Sequence, residues 1–131
     1  MPPRLAVTGL VVSDMPAALA FYRRLGLAIP AAADTEPHVQ LAVADGIDLT
    51  LDTEDTMRSF DPGWTPPSSG QRSALGFTCD SPAEVDSTYA DLTGAGYEGH
   101  LAPFDAFWGM RYATLHDPDG NAVDLYALLP T

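Results

Sequence analysis

The residues best suited to chemistry lie between Trp108 and Tyr126, where aromatic, thioether and carboxylate side chains are dense. Met110 and Tyr112 stand two positions apart, so on an extended chain they share one face, and Asp124 has the same relation to Tyr126. Flat ligands are held by stacking and apolar burial, with a few polar groups that set their orientation. This face therefore predicts the wall of a binding pocket. The alternative is that the tyrosines belong to the core.

Two strands and a tight turn are expected to position these side chains. Residues 110–115 and 121–129 favour a half-buried extended chain, and the sequence DPDG at 117–120 between them is a strong turn signal. Proline presets φ in such a turn and glycine tolerates positive φ, so a β-hairpin is predicted. Its other face is expected to pack under a helix and carries four apolar residues: Ala113, Leu115, Val123 and Leu125.

Composition bounds the class of protein. The 131 residues predict one domain, and 18 acidic residues against six arginines give a formal net charge of −12. Phosphate binding needs clustered cations, so nucleic acid and anionic membrane are poor partners. The acidic residues are expected either to keep the protein in solution or to attract cationic small molecules. No segment predicts a membrane span, the apolar run at the N-terminus ends at Asp14, and Cys79 is alone. We therefore expect a cytoplasmic protein without disulfides.

An internal repeat organises the chain into modules at about 1–52 and 73–131. A constant offset of 67 residues pairs Leu10 with Phe77 and Tyr22 with Tyr89. Each copy predicts a strand, a loop, an amphipathic helix ended by glycine, and further strands that finish in a hairpin. The first hairpin is expected at 38–44 and 47–51, around the turn Asp45-Gly46. Asp48 is predicted to be the equivalent of Asp124, because IDL parallels VDL.

The segment at 53–72 is rich in proline, glycine and serine and is predicted to be a loop or linker without regular structure. It contains two aromatic residues, Phe60 and Trp64, that a hydrophilic spacer would not need. They are expected either to stack on a ligand or to hold the loop against the sheet.

A family resemblance rests on the repeated module, on the helix sequence DMPAALAFYRRLGL at 14–27 and on HDPDGNAVDLY at 116–126. These features resemble the vicinal oxygen chelate superfamily, which includes glyoxalase I, extradiol dioxygenases, fosfomycin-resistance transferases and bleomycin-resistance proteins. The resemblance implies an α+β fold of two tandem βαβββ modules whose mixed sheet curls around a cavity, commonly as a homodimer. It does not settle function, because the fold hosts metal enzymes and metal-free drug binders.

Ligand chemistry distinguishes these classes. The metal enzymes of the superfamily usually place histidine on a first strand and glutamate on a last strand, and the matching positions here are Val7, Ala74, Asp48 and Asp124. Valine and alanine have no lone pair to donate, and two aspartates fall short of the three protein ligands of a catalytic site. Three histidines match no ligand position: His38, His100 and His116. We therefore expect no metal, no cofactor and no catalytic residue.

The remaining resemblance is to the bleomycin-resistance branch, which predicts sequestration of a planar, antibiotic-like and in some cases cationic molecule, as in self-resistance. The expected ligand-binding residues are Trp108, Tyr112, Met110, Asp124, Asp48, Gln40, Trp64 and Phe60. Phe104 and Phe107 are expected in the core or a dimer contact. The alternatives are a lyase, isomerase or dioxygenase of the same superfamily with an atypical or absent metal site, and a regulatory or interaction module.

Overall fold

A computed structural model describes residues 2, 4–67 and 73–131, and the chain forms two compact units. Unit 1 is Met1–Ser68 and unit 2 is Ser69–Thr131. The elements of unit 1 are β1 (Val7–Val12), α1 (Met15–Arg24), a 3₁₀ helix (Ala31–Thr35), β2 (His38–Ala44), β3 (Ile47–Thr53) and α2 (Glu54–Phe60). The elements of unit 2 are β4 (Ala74–Thr78), α3 (Pro82–Gly94), β5 (Glu98–Asp105), β6 (Met110–His116) and β7 (Ala122–Leu128).

Unit 1 is a three-stranded sheet in the order β1-β3-β2, with β1 parallel and β2 antiparallel to β3. The helix α1 begins where the Asp14 carboxylate accepts a hydrogen bond from the Ala17 N–H at 3.1 Å. Its apolar side, including Phe21 and Tyr22, is buried together with alternate residues of the sheet such as Leu51. The other face of the sheet therefore keeps the polar side chains of β2 and β3.

Unit 2 is a four-stranded sheet in the order β4-β7-β6-β5, and α3 contacts β5, β6 and β7. The helix begins at Ser81, whose hydroxyl accepts a hydrogen bond from the Glu84 N–H at 3.2 Å. Its buried residues are Val85 and Leu92. The four apolar residues predicted to pack under a helix are all buried: Ala113, Leu115, Val123 and Leu125.

The predicted hairpin is confirmed as β6 and β7, and Gly120 in its turn has a φ of +83°. Tyr112 lies opposite Tyr126 and Thr114 opposite Asp124, so the predicted polar and aromatic face exists. The hairpin of unit 1 is likewise confirmed as β2 and β3.

The two units are not identical copies. Unit 2 is a complete βαβββ module, whereas unit 1 has a 3₁₀ helix at Ala31–Thr35 where a further strand was expected. The segment begins after Pro30 and ends before Pro37, and its run of alanines has a low preference for extended structure. The predicted α+β fold is therefore confirmed, with a 3₁₀ helix in unit 1 at the place where unit 2 has its second strand.

The segment at 53–72 contains the helix α2, so the prediction that it lacks regular structure is wrong for Glu54–Phe60. The Thr53 hydroxyl accepts a hydrogen bond from the Thr56 N–H at 3.1 Å and caps the helix. Arg58 then pairs with Glu54 one turn earlier, at 3.2 Å. The linker prediction for 68–72 lies outside the described residues. Within the described part of the chain, no helix is long and apolar enough to span a membrane.

Candidate ligand-binding site

The candidate site is the face of the unit 2 sheet that does not pack against α3, and Asp124 lies near its centre. Asp124 is on β7, which pairs with β4 on one side and β6 on the other. The Thr114 hydroxyl donates a hydrogen bond to Oδ1 of Asp124 at 2.8 Å. The Tyr112 hydroxyl donates a short hydrogen bond to Oδ2 of the same carboxylate. Two neutral hydroxyls therefore hold both carboxylate oxygens in one orientation.

The protonation of Tyr112 follows from its surroundings. Burial, the hydrogen bond to Asp124 and the negative charge of that carboxylate raise the pKa of Tyr112 to about 12. The phenol therefore stays protonated at neutral pH and stays a hydrogen-bond donor. Thr114 is only 6% exposed, so its hydroxyl also has little access to water. This network is suited to holding Asp124 in place.

An aromatic cluster adjoins this network and consists of Phe104, Trp108 and Tyr112. The ring centroids are 5.2 Å apart for Trp108 and Tyr112, 6.3 Å for Phe104 and Trp108, and 6.1 Å for Phe104 and Tyr112. Their planes are nearly perpendicular, which is the favoured edge-to-face arrangement. Trp108 nevertheless remains 46% exposed. The cluster therefore presents a partly exposed aromatic surface whose rings pack edge to face.

The backbone beside Trp108 is open. Gly109 has a φ of +86°, a conformation that suits glycine, and a Cβ there would meet no atom within 4 Å. The Gly109 N–H donates to the Ala106 carbonyl at 3.0 Å, and the Gly109 carbonyl accepts from the Leu129 N–H at 2.9 Å. The connection between β5 and β6 is thus anchored at both sides, and the space at the Cβ position of Gly109 is open.

Phe104 and Phe107 are not core residues, and the alternative expectation that they lie in a dimer contact stays a prediction. Phe104 is 36% exposed and lies opposite Tyr112 across the β5–β6 pair, where it completes the cluster. Phe107 is 97% exposed, and its ring meets that of Trp108 edge to face at 4.9 Å. Sequence reasoning missed Phe104 as a site residue, because β5 changes register twice against β6. Its aromatic type was the only available signal.

The predicted residues of unit 1 form a separate polar group. The Gln40 amide donates to Oδ2 of Asp48 at 2.7 Å, and Nδ1 of His38 lies 2.5 Å from Oδ1 of Asp52. All four lie on β2 and β3. The hydrogen bond to Asp52 raises the pKa of His38, partial burial opposes this, and the Asp52 charge and a hydrogen bond with Gln40 add to the rise.

Asp48 and Asp124 are not equivalent, so that prediction is wrong. Asp48 lies opposite Val7, whereas Asp124 lies two residues beyond the partner of Ala74. The repeat aligns Val7 with Ala74, so the residue of unit 1 that matches Asp124 is Thr50. Asp48 lies two residues before it. The IDL and VDL sequences are therefore similar without sharing a register.

The two aromatic residues of the segment after β3 lie in unit 1. The Arg58 guanidinium stands over the Trp64 ring at 5.4 Å from its centroid, a cation–π contact that holds the indole on α2. Phe60, at the end of α2, is 69% exposed. Their contact with a ligand stays a prediction, as does the homodimer.

Comparison with known proteins identifies the family. The model of the Glyoxalase/Bleomycin resistance protein/Dioxygenase superfamily matches residues 4–125. The chain belongs to this superfamily. A search of curated protein sequences found no match.

Solved structures of superfamily proteins share the fold. A glyoxalase/bleomycin resistance protein/dioxygenase family enzyme from Burkholderia phytofirmans PsJN is 20% identical, with a TM-score of 0.82 over 97% of this chain and 100% of that chain. A glyoxalase/bleomycin resistance protein/dioxygenase from Nocardioides is 24% identical, with a TM-score of 0.76 over 98% and 85%. A lactoylglutathione lyase from Agrobacterium tumefaciens is 23% identical, with a TM-score of 0.63 over 95% and 93%.

The donor set of this superfamily member does not fit a divalent metal centre. Asp124 accepts hydroxyl hydrogen bonds on both oxygens, and one oxygen of Asp48 is held by Gln40. Val7 and Ala74 have no lone pair to donate. Throughout 4–67 and 73–131, no three side chains of His, Cys, Asp or Glu are grouped to hold a metal ion.

Proposed function

We propose that the protein binds a planar, aromatic, antibiotic-like small molecule without a metal and sequesters it without turnover. The observation that carries this proposal is the aromatic cluster of Phe104, Trp108 and Tyr112, placed beside the oriented carboxylate of Asp124. Such a surface offers stacking to a flat molecule and one polar group to set its orientation.

Binding suits the chemistry of this face better than catalysis does. Tyr112 is a phenol with a pKa of about 12, so it is a weak acid and is not available as a base at neutral pH. Burial, and then the charges of Glu84 and Asp80, raise the pKa of the Cys79 thiol, which makes it a poor nucleophile. These groups support a role in recognition.

The contribution of Trp108 is set by the area that a ligand would cover. An aromatic side chain presents about 150 to 250 Å² when fully accessible, and Trp108 retains 46% of its exposure. Covering that surface at about 25 cal/mol per Å², with stacking added, corresponds to roughly 1 to 3 kcal/mol. Met110 on the same strand face is proposed as a further contact, and a ligand contact of Gln40 and Asp48 in unit 1 stays a prediction.

Titration calorimetry against a panel of intercalator-like and glycopeptide antibiotics tests the proposal. Trp108→Ala should weaken every planar hit by roughly 5- to 150-fold, the equivalent of 1 to 3 kcal/mol. Leu5→Ala is the control, since it removes an apolar side chain that is 78% exposed in unit 1. Equal affinity of the Trp108→Ala variant and the parent protein for all hits would show that the candidate site has been misplaced.

The alternative function is that of a superfamily enzyme, a lyase, isomerase or dioxygenase that converts its ligand. The fold likeness to the Agrobacterium lactoylglutathione lyase favours keeping this candidate. Mass spectrometry of each hit after incubation with the protein separates the two functions. Quantitative recovery of the unchanged compound supports sequestration, and catalytic formation of a product supports the enzyme.

A further inference from the structure

Within the described part of unit 2, the carboxylate of Asp124 forms no ion pair with a positively charged side chain. Its two hydrogen-bond donors, Tyr112 and Thr114, are neutral hydroxyls. They orient the carboxylate and leave its negative charge in place. The rise in the pKa of Tyr112 is due in part to that charge.

The basic side chains of unit 2 that the structure describes are engaged elsewhere. Arg111 is on the alternate face of β6, where its guanidinium bonds Asp86 of α3 at 2.9 and 3.3 Å and Asp105 at 3.1 Å. His116 shares the face of Asp124, but its Nδ1 lies 2.5 Å from Glu98 and its ring stacks on His100 at 4.7 Å. Among the residues of unit 2 that the structure describes, no arginine or histidine forms an ion pair with Asp124.

The aromatic cluster adds to the same preference. The faces of aromatic rings carry negative electrostatic potential, so they attract cations as well as flat apolar surfaces. Tyr112 belongs to both features, because its ring packs against Trp108 while its hydroxyl bonds Asp124. Tyr112 therefore bridges the two features, and a planar ligand on the Trp108 indole is separated from the Asp124 carboxylate by about the length of the Tyr112 side chain.

We propose that the ligand of this face is a planar cation whose N–H edge donates to Asp124 while its ring system lies against Trp108. The inference rests on the proposed function and names the charge class of its ligand. Amidinium, guanidinium and protonated heteroaromatic amines belong to this class. The formal net charge of −12 raises the local concentration of such cations around the whole protein.

Two probes with the same tricyclic frame test the charge preference. The full chain is titrated with 9-aminoacridine, which is cationic at neutral pH, and with acridone, which is neutral. We expect 9-aminoacridine to bind at least tenfold more tightly at low salt, and we expect added salt to reduce only its affinity. Asp124→Asn should lower the affinity for 9-aminoacridine about tenfold or more and change that for acridone by less than twofold.

Three variants separate charge from structure. Trp108→Ala should weaken both probes, and Tyr112→Phe, which keeps the charge of Asp124, should preserve the preference for 9-aminoacridine. Asp55→Asn removes the same charge from a side chain that is 96% exposed in unit 1, and it should change neither affinity by more than twofold. If Asp124→Asn fails to fold, the Tyr112→Phe and salt arms still decide the charge preference.

The failures of the inference and of the proposed function are distinguishable. Equal binding of both probes to the parent protein, equal losses on Asp124→Asn, or no binding of 9-aminoacridine would each overturn the cation inference. The proposed function survives these outcomes if a neutral planar compound binds in a manner that depends on Trp108. It fails if no planar compound does.

Discussion

The sheet faces of the two units use equivalent positions for different chemistry. By the repeat and the strand registers, His38 of unit 1 matches Tyr112 of unit 2, and each bonds a carboxylate on the neighbouring strand. The partner of His38 is Asp52, directly opposite it, whereas the partner of Tyr112 is Asp124, two residues from the opposite position. The same strand arrangement therefore holds an ion pair in unit 1, whereas in unit 2 it holds a carboxylate that accepts hydrogen bonds from hydroxyl groups.

Exposure separates the two faces further. The His38 side chain is 51% exposed, so water screens its ion pair. Thr114, by contrast, is 6% exposed, and aromatic rings adjoin Tyr112. An electrostatic interaction is stronger where water is displaced, so a polar contact should contribute more to the free energy of unfolding in unit 2 than in unit 1. Three predictions test this difference in contribution, in order of decreasing effect.

The largest effect is expected at the hairpin turns. Asp117 is 4% exposed and accepts hydrogen bonds from the N–H groups of Asp119 and Asn121 and from the Asn121 amide, at 2.9, 2.8 and 2.9 Å. Asp117→Ala would leave these donors without their acceptor and should cost about 3 kcal/mol. Asp45→Ala, in the exposed turn of unit 1, should cost less than about 0.5 kcal/mol. Urea unfolding measures both, and equal costs would contradict the comparison.

A smaller effect is expected at the sheet faces themselves. Thr114→Val keeps the side-chain shape but leaves Oδ1 of Asp124 without its hydroxyl donor, which should cost about 1 to 2 kcal/mol. Thr50→Val is the matched change in unit 1, at the position equivalent to Asp124 and with more exposure. It should cost less than half as much in the same unfolding experiment. A larger cost for Thr50→Val would reverse the ranking of the two faces.

The smallest effect is a pH dependence in unit 1. The pKa of His38 is raised in the folded state, so its stabilisation is fully present below the unfolded pKa of about 6.5. It is lost as pH rises through the folded pKa. Because the pair is exposed, Asp52→Asn should cost about 0.2 to 1 kcal/mol at pH 5.5 and close to nothing at pH 8.5. Chemical unfolding at both values checks this, and a cost independent of pH would exclude the ion pair as its cause.

Local sequence determined the hairpin of unit 2 and its two faces. Side chains alternate along any strand, and the turn residues at 117–120 join strands that are neighbours in sequence, so the pairing of Thr114 with Asp124 follows from one short stretch. The caps at Asp14 and Ser81 likewise depend on residues three positions apart. The helix α2 has the same kind of signal at Thr53, which the proline and glycine content of the segment obscured.

Only the tertiary structure decided which distant residues meet. Phe104 reaches Tyr112 because of two register shifts in β5, and such shifts depend on packing against β6 and α3. The register of a parallel pair is similarly set by strands far apart in the chain, so the similar triplets around Asp48 and Asp124 lie at different positions of their sheets. The residue types at this site could be identified from the sequence, whereas the contacts between them depend on the tertiary structure.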